Sequence, residues 1–149
     1  MVTVDHLRKL DGFLAASLVD SSSGMTLDTL SVGNFPIDLA SAANTEVVRA
    51  KLRAMEAINL SDDTIEDILI SLGSQYHLIR PLSSNRDIFI YVALERNRAN
   101  LALARLELKK LESSIKKFWF FVNTDLNPLI KPKGFILILN IISSILTQS

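Results

Sequence analysis

The stretch from Pro36 to Ile58 constrains the fold most, because it is the longest uninterrupted helical pattern in the chain. At about 100° per residue, its apolar residues form two stripes roughly 130° apart. One stripe is small or slim (Ala40, Ala43, Val47, Ala50, Ala54, Ala57) and the other is bulkier (Val48, Leu52, Met55, Ile58). A helix outside a monomer needs only one stripe. The pattern therefore favours two packed surfaces, one on the chain's own sheet and one on a partner; the alternative is a helix fully buried in a monomeric core.

Composition narrows the class of protein. The chain has 149 residues, 48% of them apolar, which fits one domain with its own core. It has no cysteine, which excludes disulfides and thiolate metal sites. Its 16 basic and 16 acidic side chains cancel, so no basic field is present to hold nucleic acid. The charged N-terminus predicts no signal peptide, and we expect a cytoplasmic protein.

The segments before the long helix predict a short helix and a β-hairpin. Val4–Leu10 has apolar residues three apart, and Gly12–Val19 is a nearly continuous apolar run typical of a central strand. A turn of Asp, Ser and Gly residues follows at Asp20–Gly24, and Met25–Val32 returns as the second strand.

The segments after the long helix predict two more strands and a helix. Gln75–Leu82 alternates, and Asp87–Leu94 is β-branched and aromatic throughout. The next helix begins near Asn97 or Asn100, and its apolar stripe consists of Leu101, Ala104, Leu108, Leu111 and Ile115. Short connections between successive strands predict an antiparallel sheet covered by helices.

The segment Asp62–Leu72 is ambiguous from its pattern. Ile65, Ile68, Leu69 and Leu72 have helical spacing, whereas Ile68, Ile70 and Leu72 would share one face of a strand. The isoleucines favour the strand only slightly.

The order of these segments and several of their residues resemble the roadblock/LC7 family, most closely its short, free-standing bacterial members. The likeness covers about residues 5–115 and rests on GFLAASLVD followed by SGMTL, on AANTEVVRAK, on YHLIR and on RANLALARL. The resemblance implies an α+β fold, a five-stranded antiparallel sheet with one long helix on one face and the terminal helices on the other, layered like profilin. It also implies that Asp62–Leu72 is a strand.

Members of this family pair through the long helix and the edge strand that follows it. The resemblance and the small stripe together predict a homodimer interface at Ala43, Val47, Ala50, Ala54, Ala57, Ile65, Asp67 and Leu69. The family is non-catalytic and regulates or scaffolds Ras-like GTPases and other assemblies. We therefore expect no enzyme activity and no cofactor, with the chain itself and a Ras-like GTPase as partners.

The sequence gives little evidence for a catalytic or metal-binding site. The chain has no cysteine nucleophile, no G-x-S-x-G and no phosphate-binding glycine loop. His77 is expected to be structural, and the acidic residues between Asp62 and Asp67 lack the spacing of a calcium site. Arg80 and Arg105 are the candidates for contact with a GTPase or a carboxylate, against ordinary surface or ion-pair roles.

Composition changes after Lys117, so we predict a domain at 1–117 and an apolar tail at 118–149. The tail contains FWFFV at 118–122 and FILILNIISSIL at 135–146, and the second run is too short to span a membrane. Packing on protein is favoured over disorder, membrane contact or a foreign origin of this sequence. The predicted function is a regulatory or scaffolding dimer; the alternative is a structural subunit that docks to an assembly or membrane through its tail.

Overall fold

The computed structural model describes residues 4–125 and the side chains of residues 4–118. A 3₁₀ helix at Val4–Lys9 comes first. It is followed by β1 (Phe13–Asp20), β2 (Met25–Ser31), α1 (Ile37–Ala57), β3 (Ile68–Ser71), β4 (Gln75–Pro81), β5 (Ile88–Glu95) and α2 (Leu101–Asp125). The predicted element order is confirmed.

The strands form one antiparallel sheet in the order β2-β1-β5-β4-β3. The central strands β1 and β5 are rich in apolar residues, and almost every residue in β5 is buried. Within the described residues, β2 and β3 each have a strand neighbour on one side only.

Helices cover both faces of the sheet. On one face, the 3₁₀ helix and α2 pack Leu7, Leu108 and Leu111 against Ile90 and Val92. On the other face, α1 packs against a separate cluster of buried side chains from the strands (Ala15, Val19, Ile79, Phe89, Tyr91, Ala93). The predicted fold, with one long helix on one face and the terminal helices on the other, is confirmed.

The side of α1 that packs on the sheet is polar at its centre. Ser41 is fully buried and lies 2.7 Å from Ser17 of β1, oxygen to oxygen, while its hydroxyl also lies within hydrogen-bond distance of the Ile37 carbonyl. Only part of the bulkier stripe is buried on this side, since Val48 and Met55 are buried but Leu52 and Ile58 are exposed. Serine can replace an aliphatic residue on this side because its hydroxyl finds partners in the helix and the sheet.

Strand β3 is shorter than predicted. Only Ile68–Ser71 pairs with β4, and residues 62–67 form an irregular segment. The helical alternative for Asp62–Leu72 is wrong, and the strand interpretation holds only for its second half. Ion pairs of Glu66 and Asp67 with α2 hold the first half away from the register of the sheet.

Helix α2 begins where Asn100 accepts a hydrogen bond from the Leu103 amide, 3.1 Å, as predicted for an N-terminal cap. Its predicted apolar stripe packs on the sheet, with Ala104, Leu108, Leu111 and Ile115 buried. The helix continues past Lys117 to Asp125, so its backbone crosses the change in composition. The predicted segment Phe135–Leu146 lies outside the described residues.

Candidate functional site

The predicted small stripe of α1 lies on the solvent side of the helix. Ala43, Ala50, Ala54 and Ala57 are all exposed, and Val47 is half-buried at the margin. Leu39, one turn before Ala43, extends the same stripe and is 72% exposed. The sequence prediction omitted Leu39, although its helical spacing to Ala43 was the available signal.

The direction of this stripe follows from two anchors on α1. Arg49 donates hydrogen bonds to the carbonyls of Ser21 and Ser22 in the β1–β2 turn, at 2.7 and 2.9 Å. On the other side of the helix, Ala40 and Val47 pack against the same cluster of side chains as Ile68 and Ile70 of β3. The exposed alanines therefore lie on the side of α1 away from the sheet, and the helix itself lies nearest to β1 and β2.

Two of the remaining predicted interface residues, Leu69 and Asp67, are on the α2 side of the sheet. Leu69 packs on the α2 side of the sheet, opposite α1. Asp67 is also directed to α2, where it accepts hydrogen bonds from Nε and Nη2 of Arg105 at 3.0 and 3.3 Å. Ile65 is half-buried. The residues of β3 that share the α1 face are Ile68 and Ile70, and alternation along the strand could have identified them.

Arg80 is buried in an ion pair. It is 9% exposed, and its Nε donates to Oε2 of Glu112 on α2. Glu112 accepts a second hydrogen bond, from the Ser83 amide at 2.9 Å. Burial would raise the pKa of Glu112, but the hydrogen bonds from Ser83 and Arg80 outweigh it and lower that pKa. The pair fastens the end of β4 to α2.

Arg105 is the more accessible of the two predicted partner-binding arginines, with 42% of its side chain exposed despite the bond to Asp67. One turn further along α2, Lys109 pairs with Glu66 at 2.8 Å, and the bond and charge of Lys109 lower the pKa of Glu66. Glu66 and Asp67, which follow α1 and precede β3 in the chain, thus both pair with basic side chains of α2.

His77 has the structural surroundings expected of it. One ring nitrogen lies 2.8 Å from Oε1 of Gln75 and the other 3.1 Å from the Tyr91 hydroxyl. Burial lowers the pKa of His77, and burial raises the pKa of Tyr91 to about 12 despite a hydrogen bond with Asn44. Both groups are neutral near pH 7.

The described residues contain no group of three or more His, Asp or Glu side chains that could hold a metal ion. Of the helices in this part of the chain, none combines the length and the apolar character needed to cross a membrane.

Several solved structures share this fold. A roadblock/LC7 domain from Streptomyces avermitilis superposes with a TM-score of 0.66 at 13% identity, covering 80% of this chain and 95% of that one. MglB from Myxococcus xanthus has a TM-score of 0.62 at 16% identity, covering 72% and 83%. An MglB structure with a tetrameric arrangement has a TM-score of 0.65 at 13% identity, covering 78% and 83%. No family sequence model and no curated protein sequence matches the chain.

The sheet order, the two helical layers and these superpositions define the fold of the protein. The chain has the roadblock/LC7 type of fold, in agreement with the resemblance of its sequence.

Proposed function

We propose that this protein is a non-catalytic regulatory or scaffolding homodimer of the cytoplasm that binds a Ras-like small GTPase. The observation that carries the proposal is the exposed stripe of Leu39, Ala43, Ala50, Ala54 and Ala57 on α1, in a fold whose edge strand β3 has no second strand neighbour within the described residues.

Small side chains suit a surface on which two helices meet. Alanine loses no side-chain entropy on packing and lets two backbones approach closely. A two-fold axis beside β3 would bring the same stripe from both copies together and place the two edge strands side by side. Val47 would then lie at the margin of the alanine contact, and Ile65, Asp67 and Leu69 would contribute through the edge strand and the segment before it.

Self-association is also consistent with the tetrameric arrangement described for a structurally similar MglB. Its sequence identity to this chain is only 13%, so it supports the shared fold, and the oligomer of this chain is our proposal.

The partner surface is proposed to include Arg105, which is partly exposed, and Arg80, which is buried in its pair with Glu112. The second candidate function is a structural subunit that docks through residues 118–149. It is favoured by the change in composition after Lys117, where long apolar runs replace the mixed sequence of the proposed domain 1–117.

Pairing is tested first by light scattering of the full chain. We expect a dimer at micromolar concentration, and we expect Ala54→Arg to give monomers, because it places a charge in a dry contact at a cost of several kcal/mol, about 3–5. Ala42→Arg is the matched control, since Ala42 is also exposed on α1 but lies outside the stripe. A wild-type chain that stays monomeric at high concentration would contradict the proposed dimer.

Binding of a GTPase is tested with Ala54→Arg and with a variant of the proposed partner surface. Affinity capture from the source cell identifies associated GTPases, and each is then purified and titrated against the wild type, Ala54→Arg and Arg105→Gln. We expect Arg105→Gln to weaken binding while leaving the dimer intact. Failure of every captured GTPase to bind the purified dimer, with binding to a membrane complex that requires residues 118–149, would favour the structural subunit.

A further inference from the structure

A cleft opens at the end of the sheet because β3 is short. The register between β3 and β4 ends at Ile68 and Ile79, so the next residues of β4 continue without β3 beside them. The irregular segment before β3 and the helices α1 and α2 enclose a cleft of about 580 Å³ there. This volume lies within the range of small-molecule sites, about 300–1,000 Å³.

Arg80 lines this cleft, and one of its nitrogen donors, Nη1, makes no hydrogen bond within the described part of the chain. Among the side chains of residues 4–118, no group accepts a hydrogen bond from its Nη1, although that atom is buried. An oxygen of Glu66 lies 3.9 Å from Nη1, which is too long for a hydrogen bond. Buried donors nearly always have a partner, and a guanidinium stays charged in all ordinary conditions. The arginine therefore has capacity for one more acceptor.

The neighbouring carboxylates are already occupied. The two oxygens of Glu112 accept from Arg80 Nε and from the Ser83 amide. The Glu66 oxygen nearest Arg80 is held by Lys109 at 2.8 Å. An acceptor for Nη1 would therefore come from outside the described residues.

The other walls of the cleft indicate what kind of acceptor fits. Arg86, Lys109 and Lys116 add positive charge, while Val48 and Leu52 of α1 provide an apolar wall. Leu52 is 44% exposed, so its apolar surface is available to a ligand. The acidic lining residues, including Glu66 and Glu112, disfavour a doubly charged anion next to Arg80.

We propose that this cleft binds a small organic carboxylate. One carboxylate oxygen takes the place of the Glu66 side chain, whose movement exposes Nη1 of Arg80, and accepts a hydrogen bond from that atom. The apolar part of the ligand lies against Leu52. Glu66 competes for Arg80, because its carboxylate already lies 3.9 Å from Nη1. This site goes beyond the proposed function and requires neither a GTPase nor a dimer.

The first experiment titrates the full-length, ¹⁵N-labelled protein with hexanoate and follows the amide signals of Thr64, Ser83 and Ser113, which line the cleft. We expect saturable shifts with hexanoate, and binding about tenfold weaker or more with acetate, which lacks the apolar chain. A wild-type protein without saturable shifts would overturn the proposal. So would tighter binding of inorganic phosphate than of hexanoate.

Two neighbouring serines supply a matched pair of variants. Ser113 and Ser114 are both exposed on α2, and each donates its hydroxyl to the carbonyl four residues earlier at 3.0 Å. Only Ser113 lines the cleft. Ser113→Phe fills the cleft without touching the pair of Arg80 and Glu112, and it should weaken hexanoate binding about tenfold or more, whereas Ser114→Phe should leave it unchanged. Equal effects of the two variants would place the bound hexanoate elsewhere and overturn the assignment.

The role of Glu66 gives a test in the opposite direction. Glu66→Gln removes the competing charge and should tighten hexanoate binding severalfold. Asp62→Asn is its control, because Asp62 is exposed in the same segment but outside the cleft. Weaker binding by Glu66→Gln would show that the carboxylate does not bind at Arg80.

Discussion

At the scale of single residues, two glycines with the same backbone conformation have different surroundings. Gly12 has φ +74°, and a Cβ added there would lie 2.7 Å from the carbonyl oxygen of Glu95. Gly33 has φ +64°, but a Cβ there would meet nothing within 4 Å. Both positions disfavour an L side chain, and only Gly12 also excludes one by contact.

We therefore expect Gly33→Ala to destabilise the fold by about 1–2 kcal/mol, the cost of the left-handed backbone. Gly12→Ala should cost roughly 1–3 kcal/mol more, because the close contact is with backbone that must shift. Urea denaturation of both variants measures the difference. Equal losses would show that the β1 and β5 backbones separate without cost at this point.

Asp20 holds the β1–β2 turn through its carboxylate. Oδ1 accepts from the amide and the hydroxyl of Ser22, at 2.9 and 2.6 Å, and Oδ2 accepts from the hydroxyl of Ser23 at 2.9 Å. Burial would raise the pKa of Asp20, but these hydrogen bonds outweigh it and keep the pKa below its ordinary value near 3.8. The carboxylate is therefore more stable charged in the folded chain than in the unfolded chain.

The sign of the pH effect follows from that shift. Asp20 stabilises the fold at pH values above its unfolded-state pKa, and the contribution is lost as the pH falls through the lower folded-state pKa. We expect Asp20→Asn to lose about 1–2 kcal/mol at pH 7 and to differ less from the wild type at pH 3. Thermal unfolding at both values measures this, with exposed Asp11→Asn as the control. A constant difference between wild type and Asp20→Asn across this range would contradict it.

At the scale of elements, the pair of Arg80 and Glu112 fastens β4 to α2. Each side chain is only 10% exposed, so removing one partner leaves the other charge buried. We expect Glu112→Leu or Arg80→Met alone to cost about 3–5 kcal/mol, and the double variant Arg80→Met with Glu112→Leu to recover much of that loss.

A double-mutant cycle in urea measures this coupling. The exposed pair of Glu95 and Arg98, 3.7 Å apart with side chains 45% and 65% exposed, is the reference and should couple by less than about 0.5 kcal/mol. Similar coupling energies for the two pairs would show that the Arg80 pair is hydrated in solution.

At the scale of the whole molecule, the described elements share one sheet with a buried core on each face. Among the described side chains, Ile115 is the last residue of the core on the α2 side, and the backbone of α2 continues ten residues further to Asp125. A chain that ends at Asp125 should therefore unfold cooperatively within a few degrees of the full chain, as followed by circular dichroism. A chain that ends at Lys110 loses Glu112 and Ile115 and should be strongly destabilised.

This comparison also tests the proposed division into a domain at 1–117 and a tail at 118–149. If removal of residues 126–149 abolishes cooperative unfolding, the tail belongs to the folding unit and the division is incorrect.

Local pattern was sufficient to predict the hairpin, the central strands and the apolar stripe of α2, whereas the strand at Asp62–Leu72 was favoured only slightly by pattern and rested on the family resemblance. Each of these depends on residues close together in the chain, such as Ala104, Leu108 and Leu111 on one side of a helix. The exposed stripe of α1 was predictable for the same reason, because alanines spaced by three and four residues share a face.

Tertiary structure alone decided which side of α1 meets the sheet, where β3 begins and where the arginines lie. Ser41 is buried because Ser17, 24 residues earlier, supplies a partner for its hydroxyl. Arg80 is buried because Glu112 on another element balances its charge. Such pairings join residues far apart in the chain. The free energy of a polar group inside a protein depends on its hydrogen-bonding partner, and the local sequence pattern does not show which residue that partner is.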